Sequence, residues 1–207
     1  MQLKSCQRGV SLIGVRRPGI ACGRASARGP IRRGERGFTM VELLITIAVA
    51  AVLIVIAVPS FRNITLSNKL TTAANDVISA INVARMEAVK RNANTQLCSN
   101  SASVNTADTL GTACTTEIGA VYAMSGATPT RVVAGAPGIT GAVQLKGDMK
   151  AIRFSGQGLG QAVGTAGPYS GKVADICTSQ MSADNHREIW MTAGSILETR
   201  KTTGACP

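Results

Sequence analysis

The chain has 207 residues, 45% of them apolar and only 3% aromatic, with 22 Lys and Arg against 11 Asp and Glu. That length holds one compact domain plus extensions and rules out a large multidomain enzyme. One histidine, His186, and no cysteines at two-residue spacing argue against a zinc site or a histidine-based catalytic centre. The formal charge of +11 suggests nucleic acid as a partner, but nine of the 22 basic residues lie before Phe38, where Glu35 is the only acid. The remainder carries 13 basic and ten acidic residues, an ordinary surface balance.

Residues 1–37 are rich in Gly and Arg, lack apolar periodicity and end in Ile31-Arg-Arg-Gly-Glu-Arg-Gly37; this composition reads as a disordered leader. Residues 38–58 follow, apolar except for Glu42, polar Thr39 and Thr46. As a helix rising 1.5 Å per residue they span about 31 Å, enough to cross a bilayer. A secretory signal would be shorter and followed by a small-residue cleavage site, whereas this stretch runs directly into Pro59-Ser60-Phe61-Arg62, so a retained anchor fits better. Arg32, Arg33 and Arg36 precede the span, and the positive-inside rule places the N-terminus in the cytoplasm and residues after Pro59 outside.

Pro59 is expected to kink the helix without ending it, because an apolar stripe resumes at Leu66, Leu70, Ala73, Val77, Ile81, Ala84 and Ala88 with helical spacing. Asn68, Lys69, Asp76, Asn82, Arg85 and Glu87 take the other faces. The spacing predicts one helix from about Phe38 to about Lys90, with an apolar half over 38–58 and an amphipathic half over 59–91. From 92 to 207 short strand-like runs alternate with Gly, Ser, Thr and Asn clusters: Ile118 to Met124, Thr130 to Ala134, Ala142 to Lys146, Lys150 to Phe154, Lys172 to Thr178, Arg187 to Thr192 and Ser195 to Arg200. The fold class is α+β, a long N-terminal helix packed on antiparallel sheet.

Gly156-Gln157-Gly158-Leu159-Gly160 lacks the full glycine spacing of a dinucleotide loop and has no helix signal after it, so it reads as a strand connection. Phe154 and Trp190 each sit in an apolar run and read as core, with base stacking the remote alternative. Cys98, Cys114, Cys177 and Cys206 fall in the outer part, which the topology puts in an oxidising periplasm if the cell is Gram-negative. Of three possible pairings, Cys98 with Cys114 and Cys177 with Cys206 close local loops and are favoured, reduced thiols being the other state. Cys6 and Cys22 belong to the leader and read as free thiols. No internal repeat is present, nor any acid, base, nucleophile or metal constellation that would support an enzyme; no cofactor and no metal are expected.

The run Arg36-Gly37-Phe38-Thr39-Met40-Val41-Glu42-Leu43 ahead of an apolar helix resembles the type III signal of type IV pilins and type II secretion pseudopilins. Looser similarity to the FimT, FimU and GspH branch lies in Ala84-Arg85-Met86-Glu87-Ala88-Val89-Lys90-Arg91, Ile152-Arg153-Phe154-Ser155-Gly156, Ile176-Cys177 and Arg187-Glu188-Ile189. The resemblance implies a pilin-like fold, cleavage by a prepilin peptidase between Gly37 and Phe38, N-methylation of Phe38, and entry into a helical filament. Its partners would be other pilin or pseudopilin subunits, the peptidase, the inner-membrane assembly platform and the membrane itself.

A carboxylate about one turn inside an apolar span calls for a partner. Glu42 would meet the Phe38 amine of a neighbouring subunit in the filament that the resemblance implies; on position alone it could equally stay hydrated near the interface. DNA-binding FimT-like proteins are associated with a Gly-Arg-x-Arg motif near the C-terminus, and its nearest counterpart here is Gly194-Ser195-Ile196-Leu197. Lys172, Arg187, Arg200 and Lys201 are the candidate DNA contacts, the last three on two segments that a hairpin would bring together, and only weak binding is expected from them. The leading expectation is a minor pilin; a secretion pseudopilin and a DNA-binding pilin are the alternatives.

Overall fold

The computed structural model describes residues 37–105, 108–136 and 138–207. Apart from Gly37, the leader with its Cys6 and Cys22 lies outside these residues. The chain divides into two compact units, with the boundary after Leu44. Its elements are α1 (Met40–Arg91), β1 (Thr95–Leu97), α2 (Ala102–Asn105), α3 (Thr109–Cys114), β2 (Val121–Ser125), β3 (Thr128–Val133), β4 (Gln144–Leu145), β5 (Ile152–Phe154), β6 (Gly160–Ala162), β7 (Gly171–Cys177), β8 (His186–Thr192) and β9 (Ile196–Thr202).

Helix α1 continues through Pro59. From Ile45 to Ile64 its large apolar side chains are exposed, whereas Leu66, Leu70, Ala73, Val77, Ile81, Ala84 and Ala88, the whole expected stripe, are buried together with Ala74 and Ala80. Full burial of a side chain such as Leu70 or Ile81 contributes roughly 1.5 to 3 kcal/mol. The helix stops in a Schellman motif: Asn92 takes a left-handed φ of 46°, its amide donates to the Val89 carbonyl, and the Ala93 amide donates to Ala88. These bonds satisfy carbonyls that the last turn leaves orphaned, while Lys90 and Arg91 complement the negative helix end and both pair with Glu87.

The outer part is antiparallel sheet, as expected, divided into a five-stranded sheet in the order β3-β2-β1-β5-β6 and a four-stranded sheet in the order β4-β7-β8-β9. One apolar core joins α1 to both, with Leu97, Val121, Ile152 and Phe154 from the first sheet and Val173, Ile176, Ile189 and Met191 from the second. The sheets are laced together where three chain segments meet: Gly160 donates to the Gly194 carbonyl, Gly194 to Tyr169, and Tyr169 back to Gly160. A Cβ on Gly194 would lie 2.5 Å from the Gly160 oxygen, so no side chain fits there. Ala193 and Gly194 both have positive φ and are the central residues of a turn in which the Ser195 amide donates to the Thr192 carbonyl, within the three-residue connection between β8 and β9.

All seven expected strands occur, with ends shifted by up to three residues, while β1, β6, α2 and α3 are additions. The two short helices sit between Cys98 and Cys114 and are held from within. The buried Asn105 amide donates to the carbonyls of Ser99 and Thr115 and its oxygen accepts from the Ser99 amide, and the Asp108 carboxylate caps α3 by accepting from Gly111. In the glycine-rich 156–160 segment, residues 156–159 belong to the connection between β5 and β6, and Gly160 opens β6.

Candidate functional site

Gly37 and Phe38 precede α1 in irregular, exposed chain, and nothing stands within 4 Å of where a Gly37 Cβ would lie. Thr39 caps the helix: its hydroxyl accepts from the Glu42 amide at 3.2 Å and its carbonyl from Leu43. Thr39-Met40-Val41-Glu42 therefore has the capping-box spacing, a local signal in the sequence that composition and charge did not bring out. The cap fixes where the helix begins and so sets Glu42 in its first turn. Phe38 is 70% exposed.

The cysteines expected to pair do so: Cys98 is bonded to Cys114 and Cys177 to Cys206, with Cα separations of 5.4 and 5.8 Å. The first bond packs with Ala120 in a small core of its own. The second brings the tail after β9 back to the end of β7, where Asn185 donates to the Gly204 carbonyl and accepts from its amide.

Beneath that tail lies an arrangement that sequence inspection missed. His186 and Asp175 are both buried, with Nδ1 of the imidazole 2.8 Å from the carboxylate. This is the geometry of a base held by an orienting acid, but Nε2 has no hydrogen-bond partner and faces Gly204, where a Cβ would be 3.3 Å away. The Gly204 backbone covers Nε2, with the Lys146 ammonium beside it, and the pair reads as a structural one. Among the described residues no cluster of His, Cys, Asp and Glu side chains could hold a metal ion.

The candidate DNA contacts do not form a patch. Arg187 is 1% exposed; its guanidinium donates to the carbonyls of Asp184 and His186 and to the Ser67 hydroxyl of α1, and burial lowers its pKa. Lys201 lies opposite Arg187 in the β8–β9 register and Arg200 opposite Glu188, so Arg200 and Lys201 point to opposite faces of the sheet. Arg200 pairs with Glu198 at 2.8 Å and lies over the Trp190 ring, and Lys172 is shared between Asp175 and Glu188. The expectation of a joint basic patch is thus corrected: a phosphate would find one residue buried, two already neutralised and Lys201 standing apart. Trp190 is corrected as well. It is half-buried on the outer face, its indole N–H donating to Glu188, because inward and outward positions alternate along β8 and place Ile189 and Met191 in the core instead.

The family model for type II transport protein GspH matches residues 73–189, and that for the prokaryotic N-terminal methylation motif matches residues 32–58. The chain belongs to the GspH family. The GspH match runs from the buried stripe of α1 through both sheets into β8, and the methylation motif takes in Gly37, Phe38, Glu42 and the exposed apolar helix. Together they make the chain a minor pilin or pseudopilin of a type IV pilus or a type II secretion system. Subunits of the GspH family are structural, and the motif and the apolar helix are consistent with a single-pass pilin of the inner membrane. Comparison with curated proteins and with solved structures returned no match.

Proposed function

We propose that the chain is a minor pilin of the FimT and FimU kind, processed between Gly37 and Phe38 and carried into, or priming, a type IV pilus. The observation that carries this reading is the apolar face from Ile45 to Ile64, which none of the described residues covers, preceded by a capped helix start with the carboxylate of Glu42 in its first turn. In the bilayer lipid covers that face; in a filament neighbouring helices do so. Heterologous contacts of this kind propagate as an open helix. Glu42 then pairs with the Phe38 amine of a neighbour, a charge that exists only after cleavage, so that processing licenses assembly. Residues 1–37 are the leader, 38–58 the membrane half of the helix, 59–91 its amphipathic half, and 92–207 the periplasmic domain, with the N-terminus cytoplasmic. The inner-membrane assembly platform would deliver the subunit to the filament.

A pseudopilus of type II secretion is the second reading, favoured by the description of the matching family. Affinity purification of the cross-linked subunit separates the two. Recovery of pilus subunits supports the first, whereas recovery of secretion subunits alone replaces it with the second. The buried Arg187 and the paired Arg200 weigh against DNA uptake as the subunit's main role.

A further inference from the structure

The strand directions bring three connecting segments to the end of the domain nearest the exposed apolar helix. Strand β7 runs toward that end and β8 runs away from it, since Arg187 at the start of β8 reaches Ser67 and Ser195 after β8 reaches Arg85. Segment 178–183 between them therefore sits low, and Gln180 lines one cavity with Pro59, Arg62, Asn63 and Leu66. Segment 138–143, just before β4, lines another with Thr65, Asn68, Lys69 and Thr72. The tail 203–207 joins them through Asp184, Asn185 and the Cys177–Cys206 bond.

In a chain that is 16% charged, none of residues 138–143, 178–183 and 203–207 carries a charged side chain. The charges at their border are Arg62 and Lys69 on α1, Asp184, Asp76 beside Gly138 and Lys146 beside Gly204; of these, segment 178–183 has only Arg62 and Asp184 next to it. The far end of α1, by contrast, carries Glu87, Lys90 and Arg91. Exposed apolar side chains continue past Pro59 to Phe61 and Ile64. At 1.5 Å per residue, Pro59 to Leu66 covers about 2 to 12 Å beyond Val58, and a headgroup layer is roughly 5 to 7 Å deep. The rim beside Pro59 and Arg62 thus stands at headgroup height, whereas segment 138–143, beside Thr65 to Thr72, stands about 10 to 21 Å beyond Val58.

We propose that segment 178–183, the part of this rim beside Pro59 and Arg62 and without a charged side chain of its own, rests on the phospholipid headgroups of the bilayer that α1 enters, with Arg62 against lipid phosphates. The inference rests on the reading of residues 38–58 as a membrane span. A surface pressed toward the hydrocarbon boundary loses hydration, which charged groups tolerate poorly and hydroxyls, amides and small side chains tolerate well. Arg62 is the exception that fits, because its stem can lie along apolar surface while its head reaches a phosphate.

The test is amide NMR of the full chain in nanodiscs of phosphatidylethanolamine and phosphatidylglycerol, with and without a nitroxide on the headgroup. The expected result is loss of signal intensity at 180–183 and retention at Gly126 and Ser195. In a Ser182→Asp, Ala183→Asp variant this segment should regain intensity while 45–58 stays broadened. Full intensity at 180–183 beside a broadened 45–58 would overturn the proposal, as would broadening that the two aspartates leave unchanged. Shifts at 180–183 that appear only as protein is crowded into each nanodisc, without lipid broadening, would assign the surface to a second subunit instead. If 45–58 itself is untouched, the span reading fails and the proposal with it.

Discussion

The Arg187 guanidinium on β8 donates to the Ser67 hydroxyl of α1 at 2.9 Å, closing a gap of 120 positions in the chain. The same fork holds the Asp184 and His186 carbonyls, so one side chain ties a helix, a strand and a loop. Replacement by Ala leaves these acceptors without their donor in a buried place, at a cost of about 1 to 3 kcal/mol. Thermal unfolding of Arg187→Ala should show a lowered midpoint, and Lys, lacking the planar fork, should rescue it only in part. DNA binding lost in Arg187→Ala with unfolding unchanged would mean that Arg187 serves phosphate and not the fold.

Loss of the Cys177–Cys206 bond should release the tail from Asn185 and His186. With a separation of 29 residues, chain entropy puts the stabilisation at about 3 to 4 kcal/mol, an upper figure. A Cys177→Ala, Cys206→Ala variant should unfold at lower temperature than the parent under non-reducing conditions. An unchanged midpoint would deny the bond a structural role.

Processing should depend on Gly37, where the missing side chain leaves the backbone before Phe38 open to a peptidase. Mass spectrometry of membrane-extracted protein should find Phe38 as the mature N-terminus, and Gly37→Val should accumulate uncut. Normal cutting of that variant would contradict the expectation.

Glu42→Ala removes a charge from an apolar segment, so membrane insertion should persist or improve. Entry into filaments should fail. Incorporation at the parent level, read by immunoblot of sheared filaments, would sink the pairing with the Phe38 amine.

Acid should weaken the outer face of the second sheet through Glu188. The Trp190 indole hydrogen bond, with help from Lys172 and against the pull of burial, lowers its pKa below the ordinary 4.5. A depressed folded pKa means that the ionised form is favoured in the native state. Its stabilisation is full above 4.5 and fades as pH falls from there through the lower folded value. Glu188→Gln should therefore flatten the decline of melting temperature below that point, and a parent-like slope would assign the decline to other carboxylates.

The stripe from Leu66 to Ala88 was legible because helical periodicity is a property of neighbouring residues, and burial obeyed it at every position. Cys98 with Cys114 and Cys177 with Cys206 were legible for a similar reason, since short loops favour local closure. Strands β1 and β6 are three residues long, too short to print a pattern. On β8 the pattern misleads: an inward Arg187 and an outward Trp190 reverse the usual sorting of polar and apolar side chains. Which face each takes depends on partners supplied from far along the chain, Ser67 for one and Arg200 on β9 for the other. The apolar helix, its Glu42 and the glycine before Phe38 were thus written in consecutive residues. The fate of the basic side chains was decided by tertiary structure alone, because a guanidinium counts as free surface charge or as a buried tie only once the groups around it are in place.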